Sequence, residues 1–245
     1  MLHQTLHQYT GHPRLASSQK SVVAFYQPII DQQQQVTGYE VLARQWDPVA
    51  RCYQGIEFNR LGEHEILNID IAMLKAVVGD LPALAKNGGC VLSINLNPVM
   101  ACATYQQLLL WILLKSRKLG ITIWFEVLEH APLDQEQREL INVLRCHGAH
   151  IACDDFGTRD CNFQRLMAMP YDIVKLARTL LIQACKENYA LKMLTGLVKY
   201  LQQFSIRVVC EGVETERHIE VVNQIGCDYW QGYAYAIPSP LSRWV

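Results

Sequence analysis

At 245 residues, half of them hydrophobic, the chain suits one domain with a sizeable core. Its 22 Lys and Arg against 23 Asp and Glu leave a net charge of -1, no electrostatic surplus for a nucleic-acid polymer or an anionic membrane, so a small-molecule or protein partner is favoured. Nine cysteines without paired spacing, no secretory signal and no apolar stretch of membrane-spanning length point to reduced thiols in a soluble, cytoplasmic chain; no C-x-x-C pair supports a zinc site.

Residues 1–20 are rich in Gln, His, Ser and Thr and lack a sustained apolar period, so they read as a tail, and one domain is expected over 21–245. Eight short apolar runs follow as strands: Val22 to Asp31, Val36 to Arg44, Cys90 to Asn97, Thr122 to Glu129, His150 to Asp155, Asp172 to Leu176, Arg207 to Glu211 and Cys227 to Ala236. Stretches of helical period lie between them, at Glu63 to Val78, Tyr105 to Lys118, Asp134 to Cys146, Ala190 to Phe204 and Thr215 to Ile225. Thr215 is placed to cap the last of these and Gly226 to end it. Strand followed by helix, repeated, is the pattern of a parallel α/β sheet. The first two strands are separated only by Gln32 to Gln35, too short for a crossover helix, so they form an antiparallel hairpin. The expected architecture is therefore a TIM-like (β/α)8 barrel with one antiparallel strand near the N-terminus. An open doubly wound sheet is the alternative, although no Gly-rich dinucleotide fingerprint follows the first strand.

Polar residues recur near the ends of these apolar strands: Glu40, Asn95, Glu126, Glu129, Asp154, Asp155, Lys175, Glu211 and Gln231. Barrel enzymes assemble their sites at the strand C-termini, and buried carboxylates are costly unless paired, hydrogen-bonded or bound to metal. Glu40, Glu126, Asp154, Asp155 and Glu211 would repel one another with only Lys175 to offset them. An oxygen-rich set with one amide suits magnesium or manganese better than zinc. Taken singly, Glu129, Arg44 and Glu214 read as caps or surface groups.

The ordered set resembles the EAL domains, bacterial cyclic di-GMP phosphodiesterases. Tyr26-Gln27-Pro28-Ile29 is similar to the family's first strand, and Glu40-Val41-Leu42 with Arg44 to its Glu-Ala-Leu-x-Arg motif. Asn95-Leu96-Asn97-Pro98, Glu126-Val127-Leu128-Glu129, Asp154-Asp155-Phe156-Gly157-Thr158, Glu211-Gly212-Val213-Glu214-Thr215 and Gln231-Gly232-Tyr233 continue the resemblance in order. The resemblance implies a two-metal site for Mg2+ or Mn2+, with Glu40, Asn95, Glu126 and Asp154 on the first ion and Asp154, Asp155 and Glu211 on the second. It implies that Lys175 and Gln231 attend the attacking water, that Gln27, Leu42, Arg44, Asp155 and Gln231 contact cyclic di-GMP, and that Glu129 and Glu214 support the site. The implied reaction opens cyclic di-GMP to linear pGpG and lowers this signal in biofilm and motility control, from a homodimer. A slow or inactive receptor, or a regulator binding another protein, is the alternative. Two departures bear on it. Leu176-Ala177 stands where the family has Ile-Asp, and Arg159-Asp160-Cys161-Asn162 replaces a loop the family uses in dimer contact and in ordering a metal-site glutamate. Asp172, three residues before Lys175, falls on the opposite strand face and is a poor substitute for the missing carboxylate.

Overall fold

The computed structural model describes residues 21–97, 102–128, 134–159 and 161–245. The expected tail at 1–20, Glu129 and Asp160 lie outside these residues.

Strands β1 (Val22–Asp31) and β2 (Val36–Asp47) form the expected antiparallel hairpin, with Gln27 opposite Glu40. Its turn is held by Asp31, whose Oδ1 accepts the N–H groups of Gln33 and Gln35 at 2.9 and 2.8 Å. Two short strands lie at the sides: β3 (Cys52–Gln54) pairs with β2, and β10 (Ser239–Pro240) with β1. From β2 the sheet runs in parallel through β4 (Val91–Leu96), β5 (Thr122–Val127), β6 (His150–Phe156), β7 (Ile173–Leu176), β8 (Arg207–Cys210) and β9 (Tyr229–Trp230). Ile30 opposite Trp230 and Asp31 opposite Tyr229 then join β9 back to β1. This pairing closes an eight-stranded mixed barrel and excludes the open sheet, because both outer strands of such a sheet are here hydrogen-bonded to each other.

The strand period of two builds the barrel interior in layers. Ile29, Val91, Trp124, Ala152, Ile173 and Val209, with Tyr229 packed on them, form an apolar cluster separate from the main core. Trp124 is its largest member, and full burial of such a side chain stabilises by on the order of 3 kcal/mol. Gly38 takes the β2 position of this layer, where a Cβ would stand 2.3 Å from the Val91 carbonyl oxygen. The larger core lies between the strands and the surrounding helices. One step of two residues further along each strand, the interior turns polar: Gln27, Glu40, Ser93, Glu126, Asp154, Lys175, Glu211 and Gln231.

The helices follow the expected order: α1 (Glu63–Leu84), α2 (Ala103–Lys118), α3 (Gln135–Cys146), α4 (Phe163–Ala168), α5 (Arg178–Lys186), α6 (Asn188–Gln203) and α7 (Glu216–Ile225). Thr215 Oγ1 accepts from His218 N and Gly226 adopts φ +79°, so α7 is bounded as its caps predict. Helix α1 runs past the expected end at Val78 despite Pro82. Proline has no N–H for the carbonyl four residues back, and Lys115 Nζ from α2 supplies that donor to Val78 O at 2.9 Å. Helices α4 and α5 were not expected. The strand expected over Cys227 to Ala236 is confined to two residues, since the chain turns after Gln231 and Tyr235 N and Ala236 N bond back to Gly232 O. Among the described residues no helix is long and apolar enough to cross a membrane.

Candidate active site

The polar layer meets at the ammonium of Lys175, a side chain only 3% exposed at the end of β7. Its Nζ lies 2.8 Å from Glu126 Oε2 on β5, 2.8 Å from Glu211 Oε1 just past β8, 3.2 Å from Asp154 Oδ1 on β6 and 3.7 Å from Glu40 Oε2 on β2. Four carboxylates from four segments thus share one cation, leaving three negative charges if all are ionised. The electrostatics register this crowding. Burial pushes the Glu126 carboxyl up, against the pull of Lys175, and burial likewise pushes Glu211 up to about 8. Burial alone would lower the Lys175 ammonium, but the carboxylates outweigh it and hold it well above its ordinary value.

Three amide and hydroxyl groups orient the acids. Ser93 Oγ donates to Glu126 Oε1 at 2.5 Å, Asn95 Nδ2 to Glu40 Oε1 at 3.3 Å, and Gln231 Nε2 to Glu40 Oε2 at 2.6 Å and Gln27 Oε1 at 3.0 Å. Gln27 in turn donates to Ala236 O at 3.2 Å. The nearby carboxyl of Asp70 on α1 accepts from Asn97 Nδ2 at 2.5 Å, yet burial raises it to about 6.

Asp155 reaches the same mouth through a bulge. Cys153 pairs with Val174 and Phe156 with Leu176, so Asp154 and Asp155 together oppose Lys175. Asp155 adopts φ +46°, a left-handed conformation that non-glycine residues seldom hold outside constrained sites. Without the bulge, strand alternation would send Asp155 outward. It instead lines a cleft of about 250 Å³ with Glu40, Glu211, Gln231, Glu214 and Arg178.

Among the remaining expected residues, Leu42 and Arg44 continue the inward parity of Glu40 along β2. Arg44 places its guanidinium 5.9 Å over the Phe25 ring and donates to Ala43 O at 3.0 Å, and it is not among the residues lining the cleft. Glu214 forms an ion pair with Arg178. Asp172 sits at the opposite end of the barrel, where Oδ2 accepts from Ile151 N at 2.8 Å and pairs with Arg145 at 3.0 Å. It therefore supplies nothing to the site, as its strand position predicts. Ala177 is the N-cap of α5 and makes no side-chain capping bond. Of the rewritten loop, Cys161 has its Sγ 3.0 Å from Cys153 Sγ and Asn162 caps α4. Sequence reasoning missed Ser93, whose signal was its place two residues before Asn95, and Arg178, which follows the altered Leu176-Ala177.

No three His, Cys, Asp or Glu side chains among the described residues stand as a closed ion cage, because the acids are turned to Lys175. Their chemistry nevertheless fits a hard divalent cation: carboxylates and an amide oxygen, an excess of negative charge and no soft ligand. The buried Gln231 Oε1 has no hydrogen-bond partner among the described residues, a further acceptor left for a group at the barrel mouth.

Residues 13–238 match the family model described as EAL domain. The Escherichia coli protein named probable cyclic di-GMP phosphodiesterase PdeG is 26% identical over 240 residues, 92% of this chain and 46% of that one. The chain spans less than half the length of each curated relative compared. The structure described as PaMucR phosphodiesterase in complex with c-di-GMP superposes with a TM-score of 0.77 at 22% identity, covering 92% of this chain and 94% of that one. Klebsiella pneumoniae BlrP1, solved with manganese and cyclic di-GMP, superposes at 0.73 and 22%, covering 93% and 58%. At such identities the two likenesses show the fold.

Proposed function

This chain belongs to the EAL domain family, and from that premise we propose that it is a metal-dependent phosphodiesterase that opens cyclic di-GMP to linear pGpG. The observation that carries this reading is the meeting of Glu40, Glu126, Asp154 and Glu211 around Lys175, beside Gln231. Glu40, Asn95, Glu126 and Asp154 would hold one Mg2+ or Mn2+, and Asp154, Asp155 and Glu211 a second. The chemistry such ions would supply there is a lowered pKa for a water and stabilisation of the charge that develops in an in-line displacement.

The protein's own groups do the rest. Lys175, held as a cation by its neighbours, steadies negative charge developing on the phosphoryl oxygens and does not serve as a base. Gln231 fixes Glu40 through its amide N–H and keeps its carbonyl oxygen for the attacking water's proton. Ser93 and Asn95 hold the carboxylates in one orientation before substrate arrives. Bonded to Gln231, Gln27 forms one wall for a guanine, and Arg44 offers a guanidinium to a phosphate on the outer side.

The test is purified protein with Mg2+ or Mn2+ and cyclic di-GMP, with pGpG resolved by chromatography. Rapid formation of pGpG is expected, and none above a Glu40→Ala control would sink the proposal. A second reading, a cyclic di-GMP receptor that hydrolyses slowly, is favoured by one observation: Ala177 leaves a small buried methyl where the family carries a carboxylate beside the lysine. We further propose a homodimer through the apolar groove of α4 and α6, where Phe163, Met167, Tyr189, Met193, Tyr200 and Phe204 are exposed. Its position next to the 159–162 loop, which the family uses for dimer contact, supports a second copy as occupant. Light scattering should return twice the chain mass, and Met193→Glu should return the single mass.

A further inference from the structure

The cleft contains a cation that no motif in the sequence singles out. Ten of the described residues line it, four of them acidic (Glu40, Asp155, Glu211 and Glu214), and Arg178 is the one basic side chain among these ten. A dianionic dinucleotide approaching this mouth meets carboxylates on nearly every side. Under the phosphodiesterase reading, metal ions answer the charge of the scissile phosphate, and Arg44 reaches the second phosphodiester only from the outer side, so a donor within the cleft is still needed.

Arg178 is built for that. It is the first residue of α5, directly after Ala177, so its main chain is anchored to the end of β7. Its stem is packed across Gly212, which has φ +68°; a Cβ on Gly212 would stand 2.3 Å from Arg178 Cγ. The stem is thus confined by backbone, and little side-chain entropy remains to be lost when the head group binds. Among the described residues the head is bound only to the carboxylate of Glu214, with the arginine side chain 52% exposed and the glutamate 32%. A half-exposed ion pair of this kind is worth little in water. The pair can therefore open for a phosphate, which accepts the same two-pronged guanidinium.

We infer that Arg178 is a substrate-binding arm, exchanging Glu214 for the non-scissile phosphate of the cyclic dinucleotide. This rests on the phosphodiesterase reading and adds a residue and a role to it. Arg178 would act from within the cleft beside Arg44, whose guanidinium lies over Phe25, is bonded to Ala43 O and is outside the residues that line the cleft.

The experiment compares wild type, Arg178→Gln and Arg178→Lys on two substrates: cyclic di-GMP, and bis(4-nitrophenyl) phosphate, which has a single phosphodiester and no second phosphate. Arg178→Gln should raise KM for cyclic di-GMP about tenfold or more, with kcat changed less than about threefold. Hydrolysis of bis(4-nitrophenyl) phosphate should be unchanged, and Arg178→Lys should fall between. Calorimetric affinity for cyclic di-GMP in calcium gives the same comparison without turnover, and circular dichroism checks that the variants fold. An unchanged KM and affinity in Arg178→Gln overturns the inference while leaving the phosphodiesterase reading intact. Equal losses on both substrates also overturn it, since they would assign Arg178 to the reacting centre or to folding. A wild type that neither binds nor hydrolyses cyclic di-GMP overturns the reading on which it rests.

Discussion

The two ends of the barrel use carboxylates in opposite ways. At the end where the parallel strands begin, each acid has donors of its own: Asp31 takes the N–H groups of Gln33 and Gln35, Asp172 that of Ile151, and Asp228 that of Val208. Asp172 and Asp228 stand just before β7 and β9, and each ties its strand to the start of a neighbouring strand. At the other end, Glu40, Glu126, Asp154 and Glu211 share a single ammonium. Backbone amides fix a carboxylate where it is, which serves stability. A shared ammonium leaves the acids with unspent negative charge, which serves binding and chemistry at the expense of stability.

The largest expected effect that would test this contrast is at Lys175. Lys175→Met should lower pGpG formation by about a thousandfold, the scale of a lost charge-stabilising group in a buried site, measured by chromatography at saturating metal. A loss below tenfold would break the assignment of Lys175. Asp172→Ala at the opposite end should behave conversely. It leaves Ile151 N–H without its acceptor and Arg145 with only the Pro170 carbonyl oxygen, so denaturant unfolding should show a loss of about 2 kcal/mol, while turnover per folded molecule stays at the wild-type value.

Ala177→Asp lies between the two behaviours. At the N-cap of α5 an aspartate can accept from the helix N–H groups, worth about 1 kcal/mol and seen as a higher unfolding midpoint. It also returns a carboxylate beside Lys175, and the turnover of a slow wild type should rise. A gain in stability alone would mean that the missing carboxylate does not limit the rate.

The remaining effect is one of pH, confined to a narrow range, and concerns Asp70, whose carboxyl is raised by burial to about 6. The folded state then holds a proton that the unfolded chain has released above about pH 4. This contribution is full below that value, and stability falls as pH rises from about 4 to 6, by on the order of 1–3 kcal/mol. Asp70→Asn should flatten that segment of the stability curve, and an unaltered slope would remove Asp70 as its source.

Much of the barrel was legible in the residues. The Gln32 to Gln35 gap dictated the hairpin because no crossover fits in it, and strand–helix alternation dictated the parallel remainder. The helices that escaped notice were short: α4 has six residues and α5 nine, too few to establish a period beside a rewritten loop. The strand expected to reach Ala236 stops at Trp230 because Gly232 passes so close to Val213 that a Cβ would lie 2.1 Å from its carbonyl oxygen. That is a contact between distant segments, invisible to local pattern.

At the site, the period of two carried the sequence far. It marked Glu40, Glu126, Asp154, Lys175 and Glu211 as polar positions in buried strands, and it set Asp172 apart from them. By itself the sequence determined which residue types stand at the strand ends, because alternation along a strand is a local property of the backbone. Only the closure of β9 onto β1 decided that they meet at one ammonium. The bulge turning Asp155 into the cleft and the packing that lays Arg178 across Gly212 were likewise decided there, since each depends on distances between segments far apart in the chain.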